Sequence, residues 1–456
     1  MRKTLFAVLL GFSACGPVPI AEVTKTIPLD TTSLIPLPAM KTFAPNAAVA
    51  TTRNNLQIAE DFLDLEFTLE SGRVLPVFTK FDGPVYVKLK GDVPPSAGFD
   101  LGQVIARLRT EAGIDIAQVS NQDASINIEF LPRKQLQALA PTAACFVAPR
   151  VTSWNDYRQS RQTDVLDWTT LTSRERLSIF IQSDTSPQEI RDCLHEELAQ
   201  SLGPLNDLYG LSDSVFNDDN FQAVLTGFDM LILRLHYSPD LQNGMTKAEV
   251  AERLPMILAK LNPDGKGGAS IALGPTPRRW VDEIEKALGP KGTDSRRREA
   301  AERALTIAKA EGWTDNRLAF SYFAVGRLNL GYNLSRAIDS FATAREIYQN
   351  LPDSPIHTAH IDMQMAAFAL SSWQPDAVID IANRSIPVAQ RAQNAALLAT
   401  FMLLKAQALD QLGRGDEARS VRLDSLGWAR YCFASGAEVR ARIADIAALS
   451  AVNIGG

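Results

Sequence analysis

The side chains best placed by type and spacing to do chemistry lie between Ser186 and Asp207, where Glu196, Glu197, Gln200, Gly203 and Asn206 follow one another. A fixed carboxylate can act as a general base, and oxygen donors a helical turn away can hold a cation. The stretch predicts its own helix. Ser186 is a suitable N-cap, Pro187 falls at the first helical position, Glu189 completes a capping box, and Gly203-Pro204 ends the run. Turning about 100° per residue with Ile190 as zero, Glu197 falls at about 340°, inside the apolar stripe of Ile190, Cys193, Leu194 and Ser201. Gln200 at about 280° and Glu196 at about 240° lie on its flank. A carboxylate on a core-facing stripe is costly unless paired, hydrogen-bonded, protonated or set at a cleft, so Glu197 is the residue to explain. His195 falls nearly opposite, at about 140°, and is expected as a surface or packing histidine. Glu196 and Glu197 diverge too far on a helix to form a glycosidase pair.

The frame Glu196-Glu197-x-x-Gln200-x-x-Gly203-x-x-Asn206 resembles the H-E-x-x-H-x-x-G-x-x-H pattern of the metzincin zinc peptidases. By that resemblance Glu196, Gln200 and Asn206 stand in the ligand places, Glu197 in that of the general base, and Gly203 at the turn. The segment Ser214–Asp218 then stands where a methionine turn underlies the metal, with Phe216 in place of the methionine, and the helix from Thr226 to Tyr237 follows. The same region is similar to an uncharacterised family of proteobacterial lipoproteins, domain of unknown function 2927. The residues carrying that similarity are Cys193, Glu196-Glu197, Gln200, Leu202-Gly203, Asn206-Asp207, Ser214–Asp218 and Leu225-Thr226. It implies a family-wide departure from histidine ligation and no activity to carry over. Zinc prefers nitrogen and sulfur donors. One carboxylate with two amides suits calcium, magnesium or manganese better, with Asp207 or Asp213 completing the set. Three readings stay open: a hydrogen-bonded polar cluster without cofactor, which is the leading one, an atypical divalent-metal site, or a metal-free enzyme.

The chain has 456 residues, a net charge of −6 and a pI near 5.5, which leaves no electrostatic footprint for nucleic acid. It opens with Met1-Arg2-Lys3 and an apolar run from Leu5 to Phe12, the pattern of a secretory signal. Phe12-Ser13-Ala14-Cys15 resembles a bacterial lipobox, which implies a lipid on Cys15 as the membrane partner; Gly16 favours the outer membrane. The rival is an ordinary signal peptide. In an oxidising compartment Cys145 and Cys193 either pair or stay as buried thiols, and Cys432 is expected in a core.

Residues 1–15 are thus expected as signal peptide and 16–52 as a flexible tether rich in Pro, Ala and Thr. Residues 53–261 are expected as an α+β metzincin-like domain. Its strands are predicted at Val74–Phe78, Val85–Leu89, Ser125–Phe130 and Leu177–Gln182, and its helices at Ile58–Phe67 and Leu101–Ala112, with further capped starts at Thr226 and Thr246. A breaker-rich linker is expected at 262–278, and an all-α tetratricopeptide-like repeat domain at 279–456. Ala337–Ala344 matches the second helix of such a repeat. Comparable positions recur at Ala377–Ile381 and Gly415–Ala418, with a helical bundle as the rival. His357 and His360 fall in that region, where their spacing alone is weak evidence of metal. The leading expectation is a lipid-anchored periplasmic scaffold whose repeat domain holds a protein partner. The alternative is a divergent metal-dependent hydrolase acting on envelope peptides or peptidoglycan, with Glu197 as base.

Overall fold

A computed structural model describes residues 37–44, 49–267, 274–433 and 435–451. Cys15, the signal segment 1–15 and the first part of the expected tether lie outside the described residues. The chain divides into two compact units. One is drawn from residues 45–184 and 190–275, the other from residues up to 44, 185–189 and 276–456. The division at 275/276 falls inside the breaker-rich stretch.

The first unit is an α/β region. Its elements are α1 (Asn55–Phe67), β1 (Val85–Gly91), α2 (Ala97–Glu111), β2 (Ile116–Gln118), β3 (Ile126–Leu131), α3 (Arg133–Gln137), β4 (Cys145–Pro149), α4 (Trp154–Ser160) and β5 (Leu177–Gln182). Then come α5 (Pro187–Leu202), α6 (Gly227–His236) and α7 (Lys247–Leu261). The strands form one sheet in the order β2-β1-β3-β5-β4, parallel except for β4, which runs antiparallel to β5 at an edge. Every residue of β5 is buried, the signature of a central strand covered on both faces. Ile126, Ile128, Ile179 and Ile181 share the main core with Phe62 and Leu65 of α1 and Leu194 and Leu198 of α5. Phe180 points the other way, into a cluster with Phe146, Trp154 and Tyr157.

The expected strand at Val74–Phe78 does not form. Pro76 has no N–H for a ladder, and the segment is held by a single bridge, Thr68 to Val74, and by the Leu75 and Phe78 N–H groups donating to the Phe67 and Met245 carbonyls at 2.9 and 2.8 Å. The edge strand β4 carries no alternation longer than its own five residues and was not foreseen. Asn262, at the start of the expected linker, is locked to α1 by reciprocal hydrogen bonds with Asn55, at 2.9 and 3.1 Å. Arg53, next to the expected tether, pairs with Asp61 and Asp213.

The second unit is all helix: α8 (Arg278–Leu288), α9 (Asp294–Ala310), α10 (Asn316–Asn329), α11 (Leu334–Asn350), α12 (Pro355–Ser371), α13 (Pro375–Arg391), α14 (Ala395–Gln411), α15 (Gly415–Cys432) and α16 (Gly436–Ala451). Short turns join successive helices, and α10–α11, α12–α13 and α14–α15 pack as neighbours. Gly326 lets α10 approach α11, because a Cβ there would stand 2.9 Å from the Phe341 ring. Residues 37–44, expected as tether, pack on this unit instead. The Phe43 ring stacks on Trp428 at 4.5 Å, and the Lys41 N–H donates to the Gly427 carbonyl at 3.0 Å. Apolar Leu37 and Phe43 override the tether-like composition around them.

Candidate functional site

Helix α5 begins as its sequence dictates, with Ser186 Oγ accepting the Glu189 N–H at 3.2 Å and Thr185 bonded to the Glu189 carboxylate. Its C-terminal end is closed from outside the helix. The buried Arg174 guanidinium donates to the carbonyls of Gln200 at 2.8 Å, Ser201 at 2.9 Å and Gly203, where the helix dipole is negative. Gly203 is not in the left-handed region that a glycine C-cap usually supplies. It is needed for space: a Cβ there would meet the His236 ring at 3.1 and 3.2 Å and Glu66 Oε1 at 3.4 Å. His236 and Glu66 form a buried pair beneath the turn, with Nδ1 and Oε1 2.8 Å apart. Burial holds the imidazole below its usual range while the Glu66 carboxylate pulls the other way.

Helix α5 is buried on nearly every side, so the expected amphipathic stripe is only part of its contact surface. Glu197 is 5 % exposed and its Oε2 has no hydrogen-bond partner. Burial first, then the nearby Glu196 and Glu70 carboxylates, push its carboxyl well above the usual range. Glu196 is pushed up to about 8 by burial and by Asp218, Glu70 and Asp192. Asp207 is raised well above its ordinary value by burial, by Asp218, Glu70 and Glu196, and by a hydrogen bond to Glu70. The site is therefore a group of carboxyls, with Glu70 and Asp218 at its exposed rim and Glu197 inside.

In two of the three ligand places the amide nitrogens point to different partners. Gln200 Nε2 lies 3.4 Å from Asp207 Oδ2. Asn206 turns to α1, its Nδ2 donating to the Asp64 carbonyl at 3.1 Å while the Leu205 N–H donates to that of Leu65. Among the described residues no group of three or more His, Cys, Asp or Glu is arranged to hold a metal ion. The donor set does not fit zinc, having one carboxylate, two neutral amides and no nitrogen or sulfur ligand. Asp213, a candidate extra donor, is taken by Arg53.

His195 is a packing histidine. Its Nδ1 accepts the Leu225 N–H at 3.2 Å, which requires the neutral ring with its proton on Nε2. Burial, with Arg191 and Arg107 close by, holds it well below its usual range. Cys193, one turn before Glu197, is disulfide-bonded to Cys145 of β4 and so ties α5 to the sheet edge. The segment at 214–218 is a hydrogen-bonded turn. Ser214 Oγ donates to Asp229, the Val215 N–H donates to the same carboxylate at 3.2 Å, and Asp229 also caps α6 at the Thr226 N–H, 2.7 Å away. Phe216 is fully buried beneath Leu208, whose N–H donates to the Phe216 carbonyl at 2.9 Å.

Sequence reasoning missed Arg174, Glu66, Glu70 and the His236 pairing. Glu66 carried a usable signal, a carboxylate between Leu65 and Phe67 in an apolar helical run. Arg174 and Glu70 carried none, because their roles depend on which segments meet. The profile of the family described as "Protein of unknown function (DUF2927)" matches residues 55–256. No curated protein and no solved structure matches the chain.

Proposed function

We propose that this chain, whose residues 55–256 match the DUF2927 profile, is a binding or scaffolding protein of the cell envelope, held to the outer membrane by lipid on Cys15. In this reading the DUF2927 domain is a pseudopeptidase, metzincin-like in its frame, and the helical unit is a tetratricopeptide-like domain that holds a protein partner. One observation carries the non-catalytic part. Glu197, the position of a general base, is a buried carboxyl whose Oε2 has no partner, and burial together with the Glu196 and Glu70 carboxylates raises its proton affinity, which disfavours the ionised form a base requires.

The helical unit supports the partner-binding part. Helices α11, α13 and α15 begin at Leu334, Pro375 and Gly415, a spacing of 41 and then 40 residues, as the sequence recurrence anticipates. The turns before them expose Tyr332, Trp373 and Leu412, apolar groups at comparable places along one series of turns. Large exposed aromatics at repeated positions are the usual anchors of a protein interface. The test is complementation in a host lacking the gene. The Glu197→Gln variant should restore function fully, while the Tyr332→Ala/Trp373→Ala double variant should not; the opposite pattern contradicts the reading.

The divergent metal-dependent hydrolase is favoured by one feature, the partnerless Glu197 Oε2 and Asp207 Oδ1 among clustered carboxyls. A divalent cation would restore their ionised forms and make Glu197 a base. Stoichiometric metal in purified protein, removed by a chelator, would support that reading over the first.

A further inference from the structure

The helical unit holds a cavity of about 330 Å³ bordered by α11, α12 and α13. That is room for a small organic ligand. Asp362 of α12, 2 % exposed, bonds with a different oxygen to each of two arginines: Arg345 Nε of α11 at 2.6 Å and Arg384 Nε of α13 at 2.9 Å. Ser385 Oγ adds a bond to the second oxygen at 3.3 Å. The carboxylate is thereby used up in orienting two guanidinium groups. Among the described residues, the terminal Nη groups of Arg345 and Arg384 have no protein partner, and both side chains line the cavity.

Asp353 is the other acidic group on the wall, so the four charged side chains sum to zero. Bulk attraction for anions is therefore weak, and recognition has to come from directed N–H groups. Guanidinium N–H groups match the oxygens of a carboxylate or phosphate, which accept two parallel bonds from one fork. The first turn of α12, at Ser354, Pro355 and Thr358, also faces the cavity and brings the positive end of a helix dipole. Tyr348, Leu351 and Val388 supply an apolar wall for the rest of a ligand.

We propose that this cavity binds a small molecule through a carboxylate or phosphate group held by Arg345 and Arg384. Asp362 is the positioning residue that aims the two guanidinium groups, and the site is separate from the carboxyl cluster around Glu197.

The test is calorimetric titration of the full chain with citrate and, in a second series, with inorganic phosphate, at constant ionic strength so that screening is equal. Saturable binding of at least one is expected, and the stronger of the two says which oxyanion the site prefers. Arg384 is half-exposed, and Arg384→Gln should weaken binding about tenfold, the loss of a charge-assisted hydrogen bond. No saturable binding of either anion up to about 10 mM overturns the proposal, as does unchanged affinity in a folded Arg384→Gln protein. Should circular dichroism show that variant unfolded, Arg384→Lys decides. It keeps the charge and loses the fork, so weakened binding supports the site and wild-type affinity overturns it.

Discussion

Glu197 keeps one carboxyl oxygen without a partner inside a helix packed on almost every side, and its neighbours are carboxyls rather than cations. Such a group is cheapest when neutral. Glu197→Gln has the same shape and no charge to lose, so it should leave stability at neutral pH unchanged or raise it by about 1 kcal/mol, read by denaturant unfolding. The pH dependence follows from the sign of the shifts. Glu196, Glu197 and Asp207 bind protons more tightly folded than unfolded, so the folded state carries more protons between the two values. Their contribution is complete below the unfolded carboxyl range and is lost as pH rises through the folded values, about 8 for Glu196. The melting temperature should therefore fall from mildly acidic to mildly alkaline pH, and Glu196→Gln should flatten that fall. A melting temperature that rises over this window would contradict the account. Helical geometry placed Glu197 on the buried side from sequence alone. Of the neighbours that raise its proton affinity, Glu196 is adjacent in the sequence, whereas Glu70 comes from another segment and carried no local sign of meeting there.

At the scale of elements, α5 is fixed at both ends by different means. Its start was legible, because a cap depends on residues a few positions apart. Its end falls at Gly203 as the sequence predicts, but the means were not legible: the glycine makes room for His236 and Glu66, and the carbonyls are satisfied by Arg174 from the segment before β5. Gly203→Ala should cost about 1–3 kcal/mol through overpacking against the imidazole. Arg174→Met, which keeps the apolar stem, should cost about 3 kcal/mol by leaving buried carbonyls unpaired. Equal stability of both variants to wild type in urea would remove this description of the turn. The bond between Cys145 and Cys193 spans 48 residues, so replacing both by serine should cost about 4 kcal/mol by the chain-entropy estimate. The edge strand that carries Cys145 is short, and strands of that size are decided by the sheet they join more than by their own pattern.

The chain divides into an α/β unit and a helical unit, with residues 185–189 and those up to 44 grouped with the helices. What composition misjudged was residues 37–44, where Leu37 and Phe43 gave the chain something to bury despite the surrounding prolines. The helix spacing near 40 residues was visible in the recurring small residues, since close helix packing demands them at fixed places. A single carboxyl in the α/β unit separates the two functions, because a scaffold can keep Glu197 protonated and a hydrolase using it as a base cannot. The most direct measurement is isotope-edited infrared spectroscopy of wild-type protein against Glu197→Gln across about pH 5 to 9, following the carboxyl stretch that the substitution removes. A protonated carboxyl band for Glu197 is expected to persist through neutral pH. A band that disappears in the ordinary carboxylate range would make Glu197 an available base and contradict the scaffold reading.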